Sequence, residues 1–386
     1  MVDRPRAPTR VLLACSGLGH AVRGFETFAT ECHAALRPHP RVEALLVRAR
    51  GAAGDGERIA HTIGRDARLA RLAGRAVRRD GYFAEQMAYA LGLAPLLARE
   101  RPDVVLFSDW ALGVALGRWR ALTRSRYRLL LSNGAPGPPP YDWGIDHVQQ
   151  LTPAYHRMAL EAGEPPERHT LLPYGIAIEP ELALRAQEER MALRRRLELP
   201  PERELVLSVA ALNIWHKRLD YVIRELASLE RRPYLVLLGQ PDDETPAVLE
   251  LATSLLGPGG FTTRTVSPGA VADYYACADV FVLGSLHEAS GRVLLEALGR
   301  GLPTLCHDSE ITRFVTGDHG LRADLSRPGA LRELLAGLRR EGLGRERRLG
   351  QHRFAREQFG WEALLPRYVE MIEACAASPP HRRPAA

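Results

Sequence analysis

At 386 residues, 46% of them hydrophobic and 25% charged, the chain has globular composition and exceeds the ~250–300 residues at which one core stops growing, so two domains are expected. No stretch approaches the ~20 apolar residues of a membrane span, and the first residues lack a secretory pattern, so a soluble cytoplasmic protein is expected. Five scattered cysteines (Cys15, Cys32, Cys277, Cys306, Cys375) without a C-x-x-C pair argue against a zinc site or a disulfide framework, and a net charge of +6 favours anionic partners, phosphates included.

Residues 1–9 and 377–386 combine proline and charge without apolar periodicity and read as flexible tails. The run Val11–Cys15 ends in Ser16-Gly-Leu-Gly-His20 and leads into a helix over about Phe25–Leu36, giving strand, glycine turn, helix. Further buried strands are expected at Val42–Val47, Val104–Phe107, Leu129–Leu131 and Leu171–Leu172. A second series follows at Leu205–Val209, Tyr234–Leu238, Val280–Leu283 and Thr304–Cys306, with helices near 219–229, 245–256, 271–277 and 293–300. Alternating strands and helices predict two doubly wound parallel sheets of the α/β class, each Rossmann-like and open toward a shared crevice. The predicted domains are 10–175 and 176–358, divided near Pro173-Tyr-Gly-Ile176, and an amphipathic last helix covers 359–376.

The segment Ala278–Cys306 places Glu288 in a loop after a strand, Gly291 in a small-residue turn, Glu296 on the next helix and Gly301-Leu-Pro303 after it. A helix opening at Ala289-Ser-Gly-Arg292 offers unpaired N–H groups to a diphosphate, and carboxylates can accept hydrogen bonds from sugar and ribose hydroxyls. The pattern closely resembles the signature of glycosyltransferase family 4. The resemblance, which covers about 10–375, implies a metal-independent, retaining glycosyltransferase of GT-B fold that needs no cofactor beyond a nucleoside diphosphate sugar, UDP-sugars included, as co-substrate. It assigns donor binding to Gly19, His216, Lys217, Arg218, Glu288, Ala289, Ser290, Gly291, Arg292, Val293 and Glu296, and it implies that the last helix packs back on the N-terminal domain.

Lys217 is the one lysine among 52 basic residues, and it matches the lysine with which relatives grip the donor pyrophosphate. The compact ammonium suits phosphate oxygens presented from varied directions. Two departures stand out: Ala211 occupies the strand-end position where an arginine is expected, and Ser290 replaces a bulkier residue. Arg218, His216, Arg292 and Arg23 are the candidates to supply the missing charge.

Gly17-Leu-Gly-His-Ala-Val22 lacks the third glycine of a dinucleotide fingerprint and resembles the family's glycine-rich loop instead. The resemblance makes Glu288, Lys217, His20 and Asp109 the catalytic candidates, and His20, Arg23, Asp109, Trp110 and Asn133 the acceptor-side ones, with the loop Ala135–Tyr141 bordering them. Asp242-Asp243-Glu244 reads as solvated charge rather than a metal site. The arginines at 65, 68, 71, 75, 78 and 79 form a basic helical face, either solvated or docked on the anionic inner face of a membrane. Dispersed basic residues without a recognisable module argue against nucleic acid. The hydroxyl acceptor and the donor nucleotide are not legible, and two rivals stand beside the main reading: a hydrolase or epimerase of this fold, and a sugar-nucleotide-binding protein with weakened catalysis.

Overall fold

The computed structural model describes residues 7–20, 24–60, 62, 81–134, 139–141 and 144–380. Arg23, the arginines from 65 to 79 and the loop residues 135–138 lie outside the described residues, as do 1–6 and 381–386. The described chain forms two compact units, Met1–Gly175 with Ala363–Ala386, and Ile176–Glu362.

The first unit holds seven strands: β1 (Thr9–Cys15), β2 (Val42–Arg48), β3 (Glu57–Ile59), β4 (Val104–Phe107), β5 (Arg128–Asn133), β6 (His147–Gln150) and β7 (His169–Leu171). Their order is β3-β2-β1-β4-β5-β6-β7, and every pairing is parallel. Leu12, Ala14, Val105, Phe107, Leu129 and Leu131 share one core on one face of this sheet, at every second position as the pleat requires. Helices cover the sheet, among them Gly24–Leu36, Gly81–Glu100 and Trp110–Thr123. The last helix, Trp361–Ala377, joins this unit because Tyr368 sits at its base: the phenol donates to Pro173 O at 2.8 Å and accepts from Gln149 Nε2 at 2.8 Å. Both expected tails reach into the fold. Thr9 N–H donates to Arg41 O at 2.8 Å, and Ser378 O accepts from Arg128 Nε at 2.7 Å.

β6 is polar yet fully buried, and its first residue sets an acid limit on stability. Burial pushes the His147 imidazole from its usual 6.5 down to about 4, and nearby His169 and Arg168 act in the same direction. The native state therefore resists a proton that the unfolded chain accepts, so no stability is lost above pH 6.5 and it is lost progressively as pH falls from 6.5 to about 4. The full loss from this group is about 3 kcal/mol. Urea unfolding across that window should show the decline, and His147→Gln, which cannot titrate, should make it shallower, the remainder coming from other buried groups such as His33 and His169, whose imidazoles burial also holds down.

The second unit holds β8 (Leu205–Val209), β9 (Tyr234–Leu238), β10 (Phe261–Arg264), β11 (Val280–Leu283), β12 (Thr304–His307) and β13 (Leu321–Ala323). The order is β10-β9-β8-β11-β12-β13, again wholly parallel. The pleat divides its apolar side chains cleanly. Leu205, Leu207, Phe281 and Leu283 enter one core and Val206, Val280, Val282 and Leu305 the other. Buried two-faced strands of this kind read as continuous apolar runs, which is how they are visible in the sequence.

Candidate active site

In each sheet the strand order reverses at one place, between β1 and β4 and between β8 and β11. Open parallel sheets bind ligands outside the carboxyl ends of strands at such a switch point. Lys217 follows β8 and Glu288 follows β11, so residues 71 apart in sequence arrive at the same place. Lys217 Nζ donates to Glu288 Oε1 at 2.6 Å, with the two side chains 15% and 10% exposed. The Ser285 hydroxyl donates to the same oxygen. An ammonium carries three donors, so this contact leaves Lys217 two for an incoming acceptor.

The loop that presents Lys217 is shaped by the acidic run expected to be mere solvated charge. Glu244 Oε2 accepts from the backbone N–H groups of Ile214 and Trp215 at 2.7 and 2.9 Å. Asp242 Oδ2 accepts from Asn213 Nδ2 at 3.0 Å, and Asn213 Oδ1 accepts from the N–H of Lys217 at 2.9 Å. The Asn213 amide also holds the Asp242 carboxyl below its usual range. Only Asp243 of the three is fully exposed. The reason lies in the topology: β8 and β9 are neighbours, so the turn after β9 lies against the loop after β8. Gly239 makes that approach feasible, since a Cβ there would lie 1.7 Å from Ala210 O.

The positive groups around the loop are differently engaged. Arg218, left-handed at φ 50°, donates to Leu325 O at 2.8 Å and to Gly284 O at 3.4 Å, with its guanidinium 4.4 Å from the Tyr221 ring centre. His216 Nε2 donates to His287 O at 3.0 Å. Trp215 beside it is 72% exposed. Arg292 Nε donates to Glu296 Oε1 at 3.0 Å. Ala211 contributes no charge; Arg218 and Arg292 serve protein acceptors, and Lys217, itself paired with Glu288, keeps two of its three donors for a ligand.

Glu288 and Gly291 precede the helix Arg292–Leu298, with Ala289 and Ser290 half-buried between them and Val293 in its first turn. Gly291 caps that helix at φ 58°, where a Cβ would also press within 3.4 Å of Leu294 and Val315. Its glycine is thus required by the backbone itself, beyond the anion access expected from the sequence. Glu296 is oriented on both oxygens, by Arg292 and by the Tyr275 hydroxyl at 3.1 Å. Burial and the adjacent Glu296 push the Tyr275 phenol well up, which keeps it a proton donor. Tyr275 escaped the sequence reading because it lies on another helix, Pro268–Cys277, with no motif around it.

In the first unit, His20 follows β1 and Asp109 follows β4, which places both at its switch point. Gly19 takes φ 99°, and a Cβ there would lie 2.3 Å from Arg50 O. His20 Nε2 lies 3.4 Å from Glu85 Oε1, a fully buried carboxylate with no sequence signal. Asp109 occupies the N-cap position of the helix Trp110–Thr123, and its side chain makes no capping hydrogen bond. Trp110 stacks on Tyr141 at 5.3 Å, and Asn133 Nδ2 donates to the Tyr141 hydroxyl at 3.2 Å, so two acceptor-side candidates meet on one ring.

Residues 189–339 match the family model described as glycosyl transferases, group 1. The chain is 30% identical over 203 residues to D-inositol 3-phosphate glycosyltransferase of Xylanimonas cellulosilytica, a match covering 51% of this chain and 47% of that protein. It is also 30% identical over 141 residues to the lipopolysaccharide glucosyltransferase WaaG of Escherichia coli, covering 36% of this chain and 37% of the relative. The chain thus spans about half the length, or less, of the curated relatives it matches. Among solved structures it resembles sucrose-phosphate synthase of Thermosynechococcus elongatus, with a TM-score of 0.77 at 15% identity, covering 95% of this chain and 98% of that one. HepE of Anabaena, solved with UDP and glucose, gives 0.71 at 14% identity, covering 95% and 100%. The two Rossmann-like units have the GT-B fold. No described helix is long and apolar enough to cross a membrane.

Proposed function

We propose that this protein is a retaining glycosyltransferase of family 4 that moves a sugar from a nucleoside diphosphate sugar to an acceptor hydroxyl. The observation that carries the reading is the Lys217–Glu288 pair at the β8/β11 switch point, inside the segment that matches the group 1 model. Lys217 binds the donor phosphates with its remaining donors, Glu288 accepts from donor-sugar hydroxyls, and Glu296, held by Arg292 and Tyr275, accepts from the ribose diol. The bond from the anomeric carbon to the diphosphate oxygen breaks, and a bond to the acceptor oxygen forms on the same face. The acceptor's proton leaves with the diphosphate. Lys217 and the backbone N–H groups beyond Gly291 stabilise the negative charge that develops on the leaving group. His20 and Asp109 are proposed to contact the acceptor.

A thermal-shift panel of UDP-, GDP- and ADP-sugars tests the reading and identifies the nucleotide, because a ligand of the native state alone raises its apparent stability. Glu296→Ala should abolish most of the shift, weakening binding by about 100-fold or more for the loss of two hydrogen bonds to a charged group. Nucleotide affinity unchanged in that variant would sink the assignment.

A second reading is favoured by Ala211 and by the engagement of Arg218 with Gly284 O and Leu325 O: a protein that binds the sugar nucleotide and turns it over weakly. Product formation with and without acceptor alcohols separates transfer from hydrolysis and from binding alone. Membrane docking of the basic stretch 65–79 belongs to the same proposal, and equal cosedimentation with anionic and neutral vesicles removes it.

A further inference from the structure

The opposite edge of the second sheet holds a pocket that the proposed chemistry does not use. It measures about 220 Å³ and lies at the amino-terminal ends of β8, β11 and β12, where Glu204, Ala278, Asp279, Val280 and Pro303 line it. Lys217 and Glu288 follow the carboxyl ends of β8 and β11, so the sheet separates the two places. Arg190, Arg339 and Arg348 complete the polar lining, and Leu338 and Leu343 the apolar part.

The charges in this pocket do not balance. Arg190 and Arg194 both pair with the single carboxylate of Asp279, at 2.5 and 2.8 Å, and Asp279 also accepts from the N–H of Leu205. Arg339 is matched by Glu204. Among the described residues Arg348 forms no ion pair, and its Nε donates to Gly301 O at 2.8 Å. Neither terminal nitrogen of its guanidinium has an acceptor among the described residues. The Nε of Arg190 is likewise buried without a partner. Burial and the repulsion of Arg190 lower the affinity of Arg348 for its proton, and the Asp279 carboxylate, already shared by Arg190 and Arg194, opposes them. The three lining guanidiniums of Arg190, Arg339 and Arg348 face the two carboxylates of Glu204 and Asp279, the latter shared with Arg194 from outside the pocket, which leaves an excess of one positive charge beside an apolar wall.

We infer that this pocket is a binding site for a phosphate-type oxyanion, held in the fork of Arg348 with Arg190 beside it. A planar guanidinium with both terminal nitrogens available binds such an ion bidentately. The apolar lining from Ala278, Val280, Pro303, Leu338 and Leu343 leaves room for an organic group attached to the phosphate. The site is also tied to the helix that carries Glu296. Arg348 holds Gly301 O and His352 Nδ1 holds Gly299 O at 2.6 Å, so both residues grip the turn that ends that helix.

Calorimetric titration at constant ionic strength tests the site with two probes, inorganic phosphate and phenyl phosphate, on Lys217→Ala, which removes phosphate binding at the proposed donor site, and on Arg348→Gln and Arg348→Lys made in that background. In that background binding should weaken about tenfold or more on Arg348→Gln, the cost of losing a charge-assisted bidentate contact, and less on Arg348→Lys. Circular dichroism confirms folding, and if Arg348→Gln does not fold, Arg348→Lys carries the comparison. Tighter binding of phenyl phosphate identifies an organic phosphate as the ligand, and equal affinities identify the free ion. No binding to Lys217→Ala, or equal binding with and without Arg348→Gln in that background, overturns the inference.

Discussion

Lys217→Ala should abolish turnover and lower stability together, and the two effects have separable causes. Truncation leaves the Glu288 carboxylate, 10% exposed, with the Ser285 hydroxyl but without its cation. A fully buried pair broken in this way costs ~3–5 kcal/mol; with side chains 15% and 10% exposed to water, about 2 kcal/mol is expected. The larger effect is on catalysis. Removing one preorganised group from a developing negative charge costs on the order of 10²–10³ in kcat, and Ala211 and the engaged Arg218 offer no nearby replacement. Lys217→Ala combined with Glu288→Gln should recover most of the lost stability, because the uncompensated charge is gone, and none of the turnover. Thermal unfolding and product formation, measured on the single and double variants, check both halves. Turnover within a few-fold of wild type in Lys217→Ala would remove Lys217 from the mechanism.

The sequence exposed those parts of the molecule whose physics is local. Val11–Cys15, Tyr234–Leu238 and Val280–Leu283 are buried on both faces and therefore read as unbroken apolar runs. β6 is equally buried, but its residues are His147, Val148, Gln149 and Gln150, and no periodicity announces it. Distant partners hold its polar side chains: Gln149 Nε2 donates to Leu172 O and the Tyr368 hydroxyl, and Gln150 Oε1 accepts from Asn133, while Gln149 Oε1 is buried without a partner among the described residues. A strand held this way cannot be told from a loop until the fold is known. β3, β10 and β13, at or near the sheet edges, are short and half-buried and carry equally weak patterns. At the site, Glu288, Gly291, Glu296 and Lys217 were legible one by one, through spacing and a family resemblance. Their pairing was not, since it depends on β8 lying beside β11. Tyr275 and Glu85 had no signal at all, and Glu244 had a misleading one.

Glu244→Ala is accordingly the sharper test of how the site is built, because Glu244 touches neither Lys217 nor Glu288. Its one oxygen accepts two consecutive backbone N–H groups, at Ile214 and Trp215, and the loop then runs directly into Lys217. Without it, those two donors, on half-buried Ile214 and exposed Trp215, turn to water, and the loss of charge-assisted bonds should destabilise the unit by about 1–2 kcal/mol. Asn213 would still hold the N–H of Lys217, with Asp242 behind it, so the loop should persist but with a broader range of positions. A reacting group displaced by about 1 Å can cost on the order of 10² in rate, so kcat should fall by about that factor while the unfolding temperature drops only a few degrees. Glu244→Gln retains a carbonyl acceptor at the same reach and should recover most of the rate. If the rates of Glu244→Ala and wild type agree while stability differs, the acidic turn supports the fold alone. If Glu244→Gln restores both, the turn positions the ammonium, and the carboxylates after β9 belong to the site although none of them meets the ligand.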